Sequence, residues 1–363
     1  MGSSNQTGIL TAIVLNLGMK SLLKPILIWC LLVMTFYAKA QGSSDAADLV
    51  RQGTQLNNQG NYAGAIEKYN AALKIDSNNA QANYQMGFSL QAAGRGNEAL
   101  PYAEKAIKGN GSATLTASAY TLLGSSYDQT RQIQKAIDTY KEGIKLNPGF
   151  QQLHFNLGLA YSRNKQYAEA ESEAIESIKL DPKHASSQRM YALVTFHQNK
   201  RLNALLSLCS FILLEPNTPR SAEAYNNIQS ILKGGALSGA NGRQTIILSP
   251  KDKQEIAVQN MVISTTVSVA RQKKLAGMDL LEFELKHIFS IAGNMANDDK
   301  EKDFFDKFFA AYFLNLAQSD NIAAFTRMVS LSANKEENTK WLNEHDKELS
   351  DLDKWIAATE RTF

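Results

Sequence analysis

Residues 156–182 read NLGLAYSRNKQYAEAESEAIESIKLDP, and this stretch carries the pattern that decides the fold. Small and apolar residues recur at helical spacing on both sides of a polar turn at 163–166, which predicts two antiparallel helices. Gly158 in the first helix and Ala170 in the second allow the two backbones to approach closely. Pro182 ends the second helix, because proline cannot continue the backbone hydrogen-bond ladder.

The same pattern recurs along residues 46–218 with a period close to 34 residues. A small residue returns at spacings of 34, 37, 34 and 34, at Gly53, Gly87, Gly124, Gly158 and Ala192. An alanine follows each of these residues twelve positions later, at Ala65, Ala99, Ala136, Ala170 and Ala204. The last three units end in proline, at Pro148, Pro182 and Pro216. One helix pair cannot bury its own apolar face, so the units are expected to stack.

These residues resemble the tetratricopeptide repeat, and the resemblance implies an all-α solenoid built from helix-turn-helix units. Five repeats are predicted, at 46–79, 80–113, 117–150, 151–184 and 185–218. The fifth repeat departs most from the pattern, with Ala192 in place of glycine and with the bulky Leu208 and Phe211. Such a departure is expected of a terminal unit that packs against a different neighbour. Residues 219–233 are predicted to form a helix that caps the last repeat.

The remaining third of the chain is predicted to be a separate helical domain of unassigned role. A glycine-rich segment at 234–249 is expected to be a flexible linker, and residues 250–363 follow it. A first helix is predicted over 250–274, although the β-branched residues at 262–269 leave a strand open as an alternative. The last helix is predicted as one continuous element over 338–359.

One predicted helix in this region is apolar around most of its circumference. Its bulky residues are Phe304, Phe305, Phe308, Phe309, Tyr312, Phe313, Leu314 and Leu316. Such a helix is either central in a helical bundle or covered by a partner. The segment Phe304–Leu316 could therefore form the bundle core, or it could mediate oligomerisation or docking to the cell envelope.

The N-terminal sequence has the layout of a secretory signal peptide. Residues 19–41 read MKSLLKPILIWCLLVMTFYAKAQ, with two lysines, an apolar stretch and small residues before a cleavage site after Ala40. Residues 1–40 are therefore assigned to the signal peptide, with Met19 as an alternative start. An uncleaved anchor is the other interpretation, but the apolar run is shorter than the roughly 20 residues of a spanning helix. We expect a bacterial protein that is exported to the periplasm or the cell envelope.

Composition and motifs argue against several kinds of chemistry. The net charge of +3 provides no broad basic surface for nucleic acid. The two cysteines, Cys30 and Cys209, are too few for a disulfide scaffold or a cysteine-rich zinc site. The five histidines form no metal-binding pair, and neither His-Glu-x-x-His nor Gly-x-Ser-x-Gly occurs. The sequence therefore predicts no enzyme activity, no cofactor and no metal.

The resemblance implies that the first helix of each repeat lines a concave groove. The predicted groove residues are Asn58, Tyr84, Phe88, Gln91, Asp128, Phe155, Leu159, Arg163, Arg189, Phe196 and His197. Aromatic rings among amides and hydroxyls suit an extended peptide or a partner helix. A carboxylate clamp of the chaperone-binding type, which requires lysine and asparagine, is not expected where Val50 and Thr54 or Tyr84 and Phe88 stand.

These observations predict a non-catalytic scaffold for protein–protein interaction that holds a peptide or a partner helix in the groove. Two alternatives remain open at this point. An enzyme could reside in residues 251–363, with the repeats recruiting its substrate. The aromatic helix could instead make the C-terminal region a module for oligomerisation or envelope docking.

Overall fold

The computed structural model describes residues 44–234, 237–238, 244–245 and 253–363. The predicted signal peptide and most of the predicted linker lie outside these residues. The described chain is α-helical, as predicted, apart from two short strands, β1 (Leu237–Ser238) and β2 (Gln244–Thr245). The strands pair antiparallel within the segment predicted as a linker. Among the residues the structure describes, no helix combines the length and the hydropathy that a membrane-spanning segment requires.

Of the described residues, those up to Arg131 form one compact unit and those from Gln132 onward form a second, called unit 1 and unit 2. The described helices of unit 1 are α1 (44–58), α2 (Tyr62–Ile75), α3 (Ala80–Ala92), α4 (Gly96–Lys108) and α5 (Ala113–Gln129). The repeat helices of unit 2 are α6 (Ile133–Leu146), α7 (Gln151–Arg163), α8 (Tyr167–Leu180), α9 (Ala185–His197), α10 (Arg201–Leu214) and α11 (Pro219–Gly234). Its remaining helices are α12 (Gln254–Gln272), α13 (Gly277–Asp298), α14 (Ala311–Gln318), α15 (Ile322–Val329), α16 (Lys335–Glu344) and α17 (Asp346–Ala358).

Each turn between the two helices of a repeat contains one residue in the left-handed region. These residues are Gly60, Gly94, Arg131, Lys165 and Asn199, with φ angles of 75°, 77°, 63°, 59° and 60°. They follow the same spacing as the small residues of the first helices. Glycine adopts this conformation at no steric cost in the first two turns, whereas the other side chains occupy it with some strain.

A recurring hydrogen bond connects the loop at the end of one repeat to the first helix of the next repeat. In the loop that follows the second helix of a repeat, one backbone carbonyl accepts from the side chain six positions later. Asn83 Nδ2 donates to Ser77 O at 3.0 Å, and Gln188 Nε2 donates to Pro182 O at 2.7 Å. His154 occupies the corresponding position, with Nε2 at 3.0 Å from the carbonyl oxygen that ends the preceding repeat. The loop carbonyl is thereby satisfied although no helix continues there.

Within unit 2 the C-terminal helices pack directly on the last repeat. Asn260 of α12 bonds to the turn between α9 and α10, donating to Asn199 O at 2.8 Å and accepting from Arg201 N at 3.1 Å. Tyr191 of α9 stacks on Phe309 with ring centroids 5.4 Å apart. The sequence placed a domain boundary at the glycine-rich segment, but the helices on both sides of it belong to one compact unit.

The aromatic segment lies in the core of unit 2. Phe305, Phe308, Phe309 and Phe313 are buried, and a π-helical stretch at Asp306–Ala310 leads into α14. The guanidinium of Arg361 lies 3.9 Å from the Tyr312 ring centroid, and Phe363 stacks on Phe304 and Phe308. Because the chain covers these rings itself, Phe304–Leu316 offers no surface of exposed rings for an oligomer. The burial of these rings agrees with the bundle-core interpretation, and an oligomer through this helix stays a prediction.

The helix predicted over 250–274 is confirmed as α12, whereas the prediction for the last helix differs from the structure. The β-branched residues at 262–269 lie within α12 and not in a strand. The single helix predicted over 338–359 is two helices, α16 and α17, with His345 in a non-helical conformation between them. The break allows Leu342 and Leu352 to be buried from separate helices.

Candidate partner-binding faces of the repeats

The first helices of unit 1, α1, α3 and α5, carry five of the predicted groove residues, and we call their outer side the first-helix face of unit 1. Tyr84, Phe88 and Gln91 form one stripe on α3 at positions i, i+4 and i+7. The opposite side of α3 is buried through Met86 and Leu90. The Phe88 side chain is 41% exposed, and its ring centroid lies 6.3 Å from that of Tyr84. Phe88 is therefore available to a partner.

Two polar residues of this face, Tyr84 and Gln91, have side-chain partners on α5. Gln91 Nε2 donates to Ser125 Oγ of α5 at 2.7 Å, so this amide joins neighbouring first helices. Tyr84 is half-buried, and burial raises the pKa of its hydroxyl. Asn58 lies exposed at the end of α1, and Asp128 is half-buried near the end of α5. The first-helix face of unit 1 thus combines the exposed Phe88 ring with neighbouring polar side chains, of which Gln91 is held by a hydrogen bond to α5.

The first-helix face of unit 2 is formed by α7, α9 and α11. Phe155 and Leu159 are half-buried on α7, and the Phe155 ring meets the His184 ring edge-on at 4.9 Å. Phe196 of α9 is 46% exposed, and Arg163 lies on the surface at the end of α7. Phe196 is the exposed ring of α9, and in the repeat it occupies the position of Gln91, one turn after that of Phe88.

Two predicted groove residues of unit 2 are held by neighbouring helices. Arg189 Nη2 lies 2.7 Å from Glu223 Oε2 of α11. The His197 ring stacks on Tyr167 of α8, with centroids 4.6 Å apart. These contacts fix both side chains, so each can present a surface to a ligand with little loss of rotamer entropy.

The titratable groups of the repeats have structural explanations. Burial disfavours the charged form of His154, but its hydrogen bonds to Glu173 Oε2 at 2.7 Å and to Pro148 O outweigh this, and the pKa of His154 is raised. Burial lowers the pKa of His184 and raises that of the Cys209 thiol, which therefore remains protonated and unreactive. In the part of the chain that the structure describes, no group of His, Cys, Asp and Glu side chains could hold a metal ion.

The sequence missed one notable residue, Glu284 on α13. Burial raises the pKa of its carboxyl to about 7, and Arg271 partly opposes this shift. Glu284 lies on the same helical stripe as Leu281, Leu285 and Ile288, all of which are buried. The sequence signal that could have identified Glu284 is an acidic residue on an apolar helical stripe. The cavity beside it could not be predicted, because its lining comes from helices that are distant in the sequence.

Comparison with protein families identifies the repeats. Residues 53–94 match a model described as TPR repeat, and residues 78–148 and 121–185 match two models described as tetratricopeptide repeat. Residues 53–185 of the chain are tetratricopeptide repeats. The matched residues run from α1 to the start of α9 and therefore include helices of both units.

Similar proteins were also found among characterised sequences and solved structures. The chain is 26% identical over 127 residues to mouse serine/threonine-protein phosphatase 5. The aligned region makes up 34% of this chain and 26% of the phosphatase. The chain is 27% identical over 201 residues to a DnaJ homolog subfamily C member 7 homolog of Schizosaccharomyces pombe, covering 51% of this chain and 41% of that protein. The chain thus spans only about a quarter and two fifths of these relatives. A crystal structure of MamA aligns with 25% identity and a TM-score of 0.41, covering 45% of this chain and 94% of MamA.

Proposed function

We propose that this tetratricopeptide-repeat protein is a non-catalytic scaffold that binds a peptide or a partner helix on its first-helix faces. Stacked helical repeats form extended surfaces that proteins use for binding. The observation that carries the proposal is the exposure of Phe88 and Phe196, one on a first helix of each unit. Water-exposed phenylalanine rings gain apolar contact when a partner covers them.

The proposal is tested by selecting binding peptides from a displayed library on the full chain and measuring their affinity by fluorescence anisotropy. Phe88→Ala or Phe196→Ala should weaken a selected peptide at least about tenfold, which is the size of effect typical of a buried aromatic anchor. Matched controls are Ile75→Ala and Leu180→Ala, because these side chains are 46% and 40% exposed but lie on second helices. Equal losses in ring and control variants would contradict binding on the first-helix faces.

We further propose that the protein acts in the periplasm or at the cell envelope of a bacterium. The support is the charged, apolar and small-residue layout of residues 19–41. Expression with an intact N-terminus in a bacterial host, followed by fractionation and N-terminal sequencing, should yield a periplasmic chain that begins at Gln41. A chain that stays in the cytoplasm at full length would refute export.

The alternative of an enzyme within residues 251–363 stays a prediction. The feature that favours it is the carboxyl of Glu284, which can be protonated near neutral pH. A binding role for this carboxyl follows more directly from its surroundings.

A further inference from the structure

A cavity of about 290 Å³ lies between α11, α13 and the beginning of α16 in unit 2. Its lining includes Tyr225, Gln229, Met278, Leu281, Glu284 and Glu337. The cavity is distinct from the first-helix faces, since most of it is built by helices that follow the repeats.

Glu284 is the most deeply buried charged residue of this cavity. It is only 6% exposed, and its carboxylate forms no hydrogen bond or ion pair with the residues that the structure describes. Arg271 of α12 acts on it only through longer-range attraction. A buried carboxylate without a close partner is costly, and such groups are usually paired with a cation. The cavity beside Glu284 provides space for that cation.

The rest of the lining suits a cation with a short apolar stem. Met278, Leu280 and Leu281 form an apolar wall, and Tyr225 and Gln229 supply polar atoms. A second acidic residue, Glu337, lies at the surface of the cavity and pairs with Arg327 at 2.7 Å. Within the described part of the chain, no lysine or arginine lines the cavity. An ammonium group can donate three hydrogen bonds there, although Arg271 attracts Glu284 from a distance and Arg327 already pairs with Glu337.

We propose that this cavity binds an alkylammonium group, with Glu284 as its carboxylate partner. The group could belong to a free amine or to a lysine side chain of a partner protein, because both present the same chemistry. The site goes beyond the scaffold function proposed above and does not depend on it.

Proton release accompanies binding at this site. The groups that face Glu284 are Arg271 from α12, Tyr225 from α11 and Glu337 from α16. Arginine stays positive throughout the neutral range, and burial raises the pKa of Tyr225, so neither changes charge there. A bound ammonium favours the ionised form of Glu284. Binding near or below pH 7 therefore expels a proton from Glu284, and binding well above pH 7 expels none.

The test titrates the full chain with butylammonium chloride and follows the ¹³C-labelled methyl of Met278, assigned through Met278→Leu. We expect a saturable shift, with at least about tenfold weaker binding in Glu284→Gln. Glu282→Gln is the matched control, because Glu282 lies on the same helix but does not line the cavity. 1-Butanol, which has the same stem without the charge, should not bind detectably.

Titration calorimetry in two buffers of different ionisation enthalpy measures the number of protons released per bound butylammonium. Release should approach one proton per butylammonium at about pH 6, vanish at about pH 9 and disappear in Glu284→Gln. Nα-acetyl-lysine methylamide distinguishes a lysine side chain from a free amine as the natural ligand. If it binds at least as tightly as butylammonium, the site is assigned to a lysine side chain. If it does not bind, the site is assigned to a free amine. An unshifted Met278 methyl, equal binding by Glu284→Gln or equal binding of butanol would each overturn the proposal. Circular dichroism checks that the variant is folded, as expected when an unpaired buried charge is removed.

Discussion

Helices α8 and α10 begin 34 residues apart and both contain 14 residues, yet they are buried very differently. In α8 the buried residues are Ala170, Ala174, Ser177 and Ile178. In α10 every residue from 202 to 212 is buried. Both helices keep the repeat alanine at the same position, Ala170 and Ala204. The pattern of the repeat thus specifies the contact within a helix pair, while the outer side of a helix is determined by what packs on it.

The largest expected effect comes from exchanging outer residues between these helices. Leu206 is fully buried in α10, and the equivalent position in α8 is the exposed Ser172. Leu206→Ser should lower the free energy of unfolding by about 4 kcal/mol, because it leaves a cavity and buries a hydroxyl. Ser172→Leu should change it by less than about 0.5 kcal/mol. Urea unfolding followed by the fluorescence of Trp341 and Trp355, both in unit 2, measures the two changes.

Equal effects of the two exchanges would show that the C-terminal helices do not cover α10 in solution. The variant Ile178→Val and its equivalent Ile212→Val provide a calibration, since both isoleucines are fully buried. Each should cost about 1 kcal/mol.

The second prediction compares close helix contacts in the regular repeat and in the covering helices. A methyl group added at Gly293 of α13 would overlap Leu314 Cβ and approach Ala310 O to 3.0 Å. At Gly158 of α7 it would meet mainly the terminal atoms of Met190, with Cε at 2.7 Å. Gly293→Ala should therefore destabilise the fold by about 3 kcal/mol, and Gly158→Ala by less than about 1 kcal/mol, because a methionine side chain can move aside. Thermal unfolding of both variants shows which substitution is more destabilising. A smaller loss of stability in Gly293→Ala than in Gly158→Ala would mean that α13 and α14 are not in close contact.

The third prediction concerns the polar contact between α12 and the turn that precedes α10. Asn260 is buried and satisfies both Asn199 O and Arg201 N. Asn260→Ala should cost about 2 kcal/mol, because two partly buried backbone groups each lose a hydrogen bond to the Asn260 amide. The control Thr265→Ala, on the exposed side of α12, should stay within about 0.5 kcal/mol. If both variants unfold at the same urea concentration, this contact does not stabilise the docking of the C-terminal helices.

The same contrast explains how far the sequence could predict the molecule. The helix pairs followed from Gly158, Ala170 and Pro182, because contacts within a repeat are local and recur with the period. The docking of Asn260 on the turn before α10 could not be read in this way, since the two lie about 60 residues apart. Leu208 and Phe211 did indicate a different neighbour for the fifth repeat, but they could not show that the neighbour was the C-terminal region itself.

The candidate sites also differ in whether they depend on local sequence or on packing between distant helices. Exposed rings such as Phe88 and Phe196 were predictable, because a position on a first helix determines the side to which it points. Their fixed neighbours were not: the stacking of His197 on Tyr167 depends on the packing of α9 beside α8. The cavity at Glu284 was least accessible to sequence reasoning, because it requires α11, α13 and α16 to meet.

The smallest expected effect is a pH dependence confined to the regular repeat. His154 and Gln188 lie 34 residues apart and share the contact with the carbonyl that ends the preceding repeat, Pro148 O and Pro182 O respectively. Only His154 titrates, and Glu173 together with Pro148 O raises its pKa against the effect of burial. A folded-state pKa above the unfolded value of about 6.5 adds stability that is complete below pH 6.5 and is lost as the pH rises through the folded value.

His154→Gln installs the side chain found in the fifth repeat and should remove this dependence. Wild type should exceed the variant in free energy of unfolding at about pH 5.5, and the difference should shrink steadily toward about pH 8.5. Glu284 also titrates in this range and with the same sign, because burial raises its pKa to about 7, so its ionisation lowers the stability of the fold as the pH rises toward that value. Its contribution is the same in both proteins, so urea unfolding across the pH series isolates His154 in the difference. A difference that is constant with pH would mean that Glu173 does not hold the proton on this ring, and that the two repeats use their shared contact identically.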